Sequence, residues 1–383
     1  MFKKHKMSRK KLLNILSLFM ILQSLLFCKK SNCNVEDNSN INFYLGGDLS
    51  YVNEMEDCGA VYKNSSNQEA DVFDIFETAG ANLVRVRLWH NPTWTNYSNL
   101  EDVKKTIRRA KDNNMAILLD FHYSDTWADP SKQEIPLAWE INLNNDSLLG
   151  DMLYDYTFST LKTLDSLDLT PEIVQIGNEI NPMILQKGNL QWPIDWDRNS
   201  LLLNKGIEAV RNFSVGTQNN IEIMLHIAQP ENGIWWFDQA SSNNVVDYDW
   251  IGLSYYPQWS QYNLSNLEPV LTNLRTTYNK KLMIVETAYP FTLQNNDNAN
   301  NILDSQSLLV DYPATQQGQL DYLLDLKQVL QNSGGSGLVY WEPAWVSTTC
   351  STLWGNGSHW DNATLFDHEF KATKGLEFYC DNN

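Results

Sequence analysis

Two glutamates each stand directly after a short apolar run. Val174-Gln175-Ile176-Gly177-Asn178-Glu179 stops at its acid, with Pro171 before it and Pro182 after it. Leu282-Met283-Ile284-Val285 stops at Glu286 in the same way. A carboxylate placed against a buried strand is costly to desolvate unless it has a task or a partner. The open end of a parallel sheet, where strand ends line a pocket, supplies one. Two strand-end glutamates about a hundred residues apart point to the paired-carboxylate chemistry that breaks glycosidic bonds. The plainer alternative is a pair of helix-capping or salt-bridged glutamates.

The elements that must carry these acids alternate along the chain. Strand patterns occur at Asn42–Leu45, Asn82–Leu88, Met115–Phe121, the run ending at Ile176, Ile221–Ile227, Asp249–Leu253, the run before Glu286, and Gly337–Trp341. Helical patterns fall between them, at Asp71–Thr78, Leu100–Lys111, Leu148–Leu164, Leu201–Val210, Leu267–Tyr278 and Gln316–Leu330, with a further helix beginning near Trp235. Eight buried strands, each followed by a helix, predict an α/β fold: a single (β/α)8 TIM barrel with long βα loops. No Gly-x-Gly-x-x-Gly follows the first strand, as a dinucleotide-binding sheet would require.

A barrel predicts polar residues at the C-terminal strand ends. Strand two offers Arg85 and Arg87, which share parity and so can both point inward. A buried arginine needs an acid partner. Strand three offers Asp120 and His122, strand four Asn178 and Glu179, and strand five His226. Strand six offers Tyr255 and Tyr256, strand seven Glu286, and strand eight Trp341 and Glu342. Singly, each reads equally as a structural residue.

The chain has 383 residues and a formal charge of −18, which becomes −24 once the six lysines and arginines of the first 28 residues are removed. That surface excludes nucleic acid, anionic membranes and a polyanionic substrate such as polygalacturonate. It suits a neutral ligand, and the 14 tryptophans provide faces on which sugar rings can stack. Residues 1–28 read as an export signal: a basic stretch from Lys3 to Lys11, then an apolar run from Leu12 to Phe27. Cys28 is placed to carry a lipid, as in bacterial lipoproteins, and the plain alternative is free secretion. Residues 29–40 read as a flexible tether, leaving 41–383 as the catalytic domain, expected to act as a monomer. Cys33, Cys58, Cys350 and Cys380 allow three disulfide pairings. No cysteine or histidine spacing suggests a metal.

Longer motifs carry a resemblance. Arg85-Val-Arg-Leu-Trp-His-Asn-Pro92, Asp120-Phe-His-Tyr-Ser-Asp125, Gln175-Ile-Gly-Asn-Glu179, Ile251-Gly-Leu-Ser-Tyr-Tyr-Pro257, Glu286-Thr-Ala-Tyr-Pro290 and Tyr340-Trp-Glu-Pro-Ala-Trp345 together resemble the arabinogalactan endo-β-1,4-galactanases, glycoside hydrolase family 53. The resemblance implies Glu179 as acid/base and Glu286 as nucleophile of a retaining hydrolase, acting on the (arabino)galactan side chains of pectin. It implies Asn178 against the sugar 2-hydroxyl and Trp341 beneath the ring being cleaved. His122 and His226 would meet sugar hydroxyls, and Arg85 or Arg87 with Tyr255 or Tyr256 would keep Glu286 ionised. Trp127, Trp259, Trp345 and Trp354 are candidate aromatic platforms. No cofactor is required. Some bacterial members hold calcium in the strand-seven loop; here Asn295-Asn296-Asp297-Asn298 and Asp304 could supply oxygens, or form a solvated polar loop. Competing readings are a mannanase or xylanase of the same clan, and a non-catalytic glycan-binding lipoprotein.

Overall fold

The computed structural model describes residues 43–380. The export signal, Cys28, the tether, Cys33 and Asn42 lie outside the described residues. Chain order is β1 (Tyr44–Asp48), α1 (Val52–Asp57), α2 (Val72–Ala79), β2 (Leu83–Leu88), α3 (Leu100–Asp112), β3 (Ala116–Phe121), α4 (Asp146–Asp165), β4 (Ile173–Ile176), α5 (Trp196–Thr217), β5 (Glu222–Ala228), α6 (Pro230–Ser242), β6 (Trp250–Ser254), α7 (Leu264–Tyr278), β7 (Lys281–Glu286), α8 (Gln316–Asn332) and β8 (Gly337–Tyr340). The eight strands are parallel, and β8 returns to β1, so the sheet closes as a barrel.

Local chemistry explains the elements. β2 and β3 are buried along their whole length, as a parallel sheet covered on both faces requires. The side chain of Asn99 caps α3 by accepting from the N–H groups of Glu101 (2.9 Å) and Asp102 (3.2 Å). Gly80 closes α2 with φ of 107°, a left-handed stop. The expected first strand runs further than predicted, so Gly46, Gly47 and Asp48 lie inside it.

Alternation then sorts the side chains. Leu83, Ala116, Leu118, Ile173, Met224, Trp250, Met283, Val285 and Val339 fill the barrel interior as one apolar cluster. Gly252 leaves room for Met224, whose sulfur would lie 2.7 Å from an added Cβ. The opposite parity, including Val84, Val86, Ile117 and Leu119, packs under the helices. Continuing the inward parity toward the C-terminal ends gives Asp48, Arg85, Asp120, Gln175, His226 and Ser254, all buried. The barrel therefore carries an apolar plug below and a polar layer above.

The loop after β8 is fastened to the loop after β1. Cys58 and Cys350 form a disulfide with Cα atoms 5.7 Å apart, across a sequence separation of 292. Just beyond it, a two-stranded hairpin of Ser351–Thr352 and Gly355–Asn356 displays Trp354 in its turn. Because the closed loop is so long, replacing both cysteines by alanine is expected to destabilise the fold by about 2–4 kcal/mol. A melting temperature unchanged under oxidising conditions would show that this closure contributes nothing.

Candidate active site

Arg85 sits at the centre of the polar layer with 1% of its surface exposed. A guanidinium has five N–H donors, and every one is used. Nε donates to Gln175 Oε1 (3.3 Å). Nη1 meets Asp48 Oδ2 (2.8 Å) and Glu286 Oε1 (2.9 Å). Nη2 meets Asp120 Oδ2 (2.8 Å) and Asn178 Oδ1 (2.7 Å). Burial alone would raise the Asp120 carboxyl, but Arg85 and His122 outweigh it and hold Asp120 below the usual range.

Glu286 reaches this arginine through a break in the alternation. Met283 and Val285 face inward, so the next residue would face outward. The β6–β7 register instead steps from Leu253 opposite Ile284 to Ser254 opposite Glu286, a bulge that skips Val285. The extra residue turns the Glu286 carboxyl into the barrel mouth. Tyr256 donates to its other oxygen at 3.3 Å. Burial pushes Glu286 up to about 7, the Arg85 charge pulls the other way, and Asp48 and Asp120 add to the push.

Glu179 is aimed by its backbone. Gly177 has φ of 83° and Glu179 itself φ of 44°, a left-handed geometry that costs a non-glycine residue about 1–3 kcal/mol and persists only where neighbours enforce it. Gln133, from the loop after β3, donates Nε2 to the carbonyls of Asn178 (2.9 Å) and Glu179 (3.2 Å). The Glu179 N–H is directed at His226 Nδ1 (3.3 Å). His226 Nδ1 also lies 3.0 Å from Asn178 Oδ1, and its Nε2 is 2.9 Å from Ser254 Oγ, whose hydroxyl donates to Glu179 Oε1 (2.6 Å). Burial first, then the charge of Glu286, push Glu179 well above the carboxylate range, and the Ser254 bond opposes them. Part of Glu179 remains open to the cleft, so solvent tempers the burial effect. Its order above Glu286 still holds, because Arg85 pairs with Glu286 and not with Glu179.

Both glutamates line one cleft, walled by Trp127, Trp341, Trp345 and Trp354. Arg87 stiffens the wall. Its guanidinium lies 4.1 Å from the ring centre of Trp127, 4.6 Å from Trp89 and 4.9 Å from Tyr51. Its charge is met by Glu342 at 3.0 Å. The indole N–H groups of Trp127 and Trp345 have no protein partner.

The structure resolves the open alternatives among the expected residues. Arg85, not Arg87, serves Glu286, and Tyr256, not Tyr255. The Tyr255 hydroxyl donates to the Tyr262 carbonyl at 3.1 Å, because its parity, opposite to that of Ser254, turns it under the helices. His226 is a further correction: it is 0% exposed and both ring nitrogens are held by protein groups, so it supports Glu179 and does not meet a sugar. His122 lines the cleft, but Nε2 is paired with Asp120 (3.1 Å) and Nδ1 accepts from the Ala128 N–H (3.2 Å). Asn178 and Trp341 also line the cleft; Asn178 Oδ1 accepts from Arg85 (2.7 Å) and its Nδ2 donates to the Ala128 carbonyl (2.8 Å). Trp345 is 1% exposed, too covered by Tyr51, stacked at 4.4 Å, to act as an open platform. Trp259, 47% exposed, lies outside this wall and packs on Tyr256.

Asp48, Gln175 and Ser254 were not foreseen as site residues. Their signal was inward parity at strand ends that already carried recognised groups. In the strand-seven loop the two acids are engaged by backbone N–H groups. Asp297 accepts from the N–H groups of Ala299 and Ser358, and Asp304 accepts from that of Gln306. Among the described residues no group of three or more histidine, cysteine or acidic side chains is arranged to hold a metal.

Comparison with known proteins places this cleft. Residues 44–379 match the profile of Glycosyl hydrolase family 53. The chain belongs to that family. It is 54% identical to an arabinogalactan endo-β-1,4-galactanase of Cellvibrio japonicus, over 90% of this chain and 91% of the relative. It is 35% identical to an endo-β-1,4-galactanase of Bacillus subtilis, over 87% of this chain and 79% of the relative. Among solved structures, the family 53 catalytic domain of Ignisphaera aggregans superposes with a TM-score of 0.81 at 30% identity, covering 91% of this chain and 98% of that one.

Two outcomes follow from the ionisation geometry. A glutamate whose folded-state pKa is raised loses stability for the fold as pH climbs from its unfolded value. Glu179→Gln should therefore melt at the wild-type temperature near pH 4 and a few degrees higher at pH 7 to 8; a gap that stays constant with pH would contradict the raised carboxyl. Ser254→Ala removes the donor that favours ionised Glu179. Its pH–activity profile should move its alkaline limb upward, with kcat falling roughly fivefold for one hydrogen bond. An unshifted limb would mean Ser254 only packs.

Proposed function

We propose that this chain is an endo-acting, retaining β-1,4-galactanase, cutting (arabino)galactan such as the side chains of pectin. The observation that carries the reading is the pairing of Glu179 and Glu286 in one cleft with opposite surroundings, inside a family 53 barrel. Ser254 is the register partner of Glu286 and bonds Glu179. Neighbouring strands are about 4.8 Å apart, which supports the close carboxyl spacing of retaining enzymes rather than the wider gap of inverting ones.

In this reading Glu286, kept the more readily ionised of the two acids by Arg85, attacks the anomeric carbon. Glu179, still protonated, gives its proton to the departing oxygen. Once Glu286 is esterified its negative charge is gone, so the Glu179 carboxyl falls and the group can take a proton from water. That water then attacks the anomeric carbon, and the sugar leaves with retained configuration. We further infer that the protein is exported, with Cys28 as a lipid anchor. The Cys58–Cys350 disulfide suits an oxidising compartment.

The assignment is tested by reducing-end release from linear β-1,4-galactan, β-mannan and β-xylan. Wild-type enzyme should cut galactan far faster than the others; comparable rates would favour a different clan member. Glu286→Ala should lose about 10³-fold or more on every substrate. Glu179→Gln should lose as much on galactan yet keep the first step with a nitrophenyl glycoside, whose leaving group needs no proton. Equal losses on both substrates would reverse the assigned roles.

A further inference from the structure

Outside the cleft, two tryptophans face solvent together. Trp192 is 69% exposed and Trp235 43% exposed, and their rings lie 5.5 Å apart at 42°. Trp192 belongs to the loop leaving β4, which carries Glu179. Trp235 is on the outer face of α6, whose inner face is formed by Gly233, Trp236 and Phe237. Both segments start at the catalytic end of the barrel. Trp235 comes five residues after Pro230, so it lies about 7.5 Å below that rim.

The pair is linked to the cleft. Trp259, 47% exposed, packs against Tyr256 at 5.1 Å, and Tyr256 bonds Glu286. The next two residues hang on α6: Ser260 Oγ donates to Glu231 Oε2 (3.0 Å) and the Gln261 N–H to Glu231 Oε1 (2.9 Å). Glu231 and Trp235 are four apart on that helix and share a face. An arc of exposed indoles thus runs from Trp259 beside the cleft to Trp235 and Trp192 on the flank, on the side of the barrel that bears the proton donor.

We propose that Trp192 and Trp235 form a second sugar-binding platform that holds the galactan chain where it leaves the cleft on the leaving-group side. The proposal rests on the galactanase reading for its ligand. A protein partner is disfavoured by size: each tryptophan offers at most about 250 Å², well short of the roughly 1,200 Å² of a stable interface. The acidic chain disfavours an anionic polymer or membrane. A neutral polysaccharide with alternating apolar ring faces matches two tilted indoles, and a second contact on one chain raises its effective concentration at the first.

The test compares wild type with Trp192→Ala/Trp235→Ala, both positions being exposed and outside the catalytic cleft. On polymeric galactan the double variant should show a KM raised roughly three- to tenfold with unchanged kcat. On β-1,4-galactotetraose, too short to span both sites, it should match wild type. In a native gel containing galactan, Glu286→Ala protein should migrate faster once the pair is removed. Equal KM values on the polymer, or unchanged migration, would overturn the platform while leaving the galactanase reading intact. If wild type cuts no galactan at all, the functional reading fails first and the named occupant fails with it.

Discussion

The site depends on how one buried cation is shared. Arg85 is almost wholly removed from water, and a charge so placed costs several kcal/mol unless compensated. At an effective dielectric of about 20, a unit charge pair at about 4 Å is worth about 4 kcal/mol, so one partner would barely offset burial. Three carboxylates do so comfortably: Asp48, Asp120 and Glu286. The count then turns over, because three acids around one guanidinium leave the cluster negative. His122 and His226 do not repair this, since burial holds both below their usual range and hence neutral. A fourth acid beside the cluster cannot readily ionise, and Glu179 is that acid. Glu179 is thus held protonated by burial first and by the neighbouring charge of Glu286 second, rather than by a special property of its own side chain.

Geometry depends on the same layer. The β7 bulge and the left-handed Glu179 both depart from regular strand geometry. Tyr123, Gln229 and Glu342 also carry positive φ just beyond β3, β5 and β8, so the irregularity is a feature of the whole rim. These conformations cost energy, and the polar layer returns it: Gln133 fastens the β4 end, Ser254 joins β6 to Glu179, and Arg85 joins β1, β2, β3, β4 and β7. An enzyme whose acids were simply carried by ideal strands would face Glu286 away from its partner.

Much of this was legible in the sequence, and the limits have physical causes. The alternation of apolar runs gave all eight strands, and period two correctly turned Arg85 and Arg87 inward. It could also have separated Tyr255 from Tyr256, since only Tyr256 shares the parity of Ser254. The bulge at Glu286 could not be read, because it breaks the very rule that sequence reading uses. Which arginine meets which acid is decided by loops from opposite ends of the chain. Exposure of tryptophans was illegible for the same reason: Trp345 is covered by Tyr51, nearly three hundred residues away in sequence. The start of α6 was missed because Pro230-Glu-Asn-Gly reads as a loop, although proline is favoured in the first turn.

The two inward arginines divide the work. Arg85 is surrounded by acids and amides and sets charge. Arg87, two residues on, is surrounded by Tyr51, Trp89 and Trp127 and sets shape, with Glu342 answering its charge. Its guanidinium lies against rings that form the sugar-facing wall, and Tyr51 passes that order on to Trp345. The disulfide at Cys350 pins the same loop from the other side. A sugar ring held on this wall is therefore held relative to β2, the strand whose Arg85 holds the Glu286 carboxylate. Stacking and ionisation are coupled through two residues of one strand, and a rigid strand transmits position without needing any motion to align a ring on the wall with Glu286.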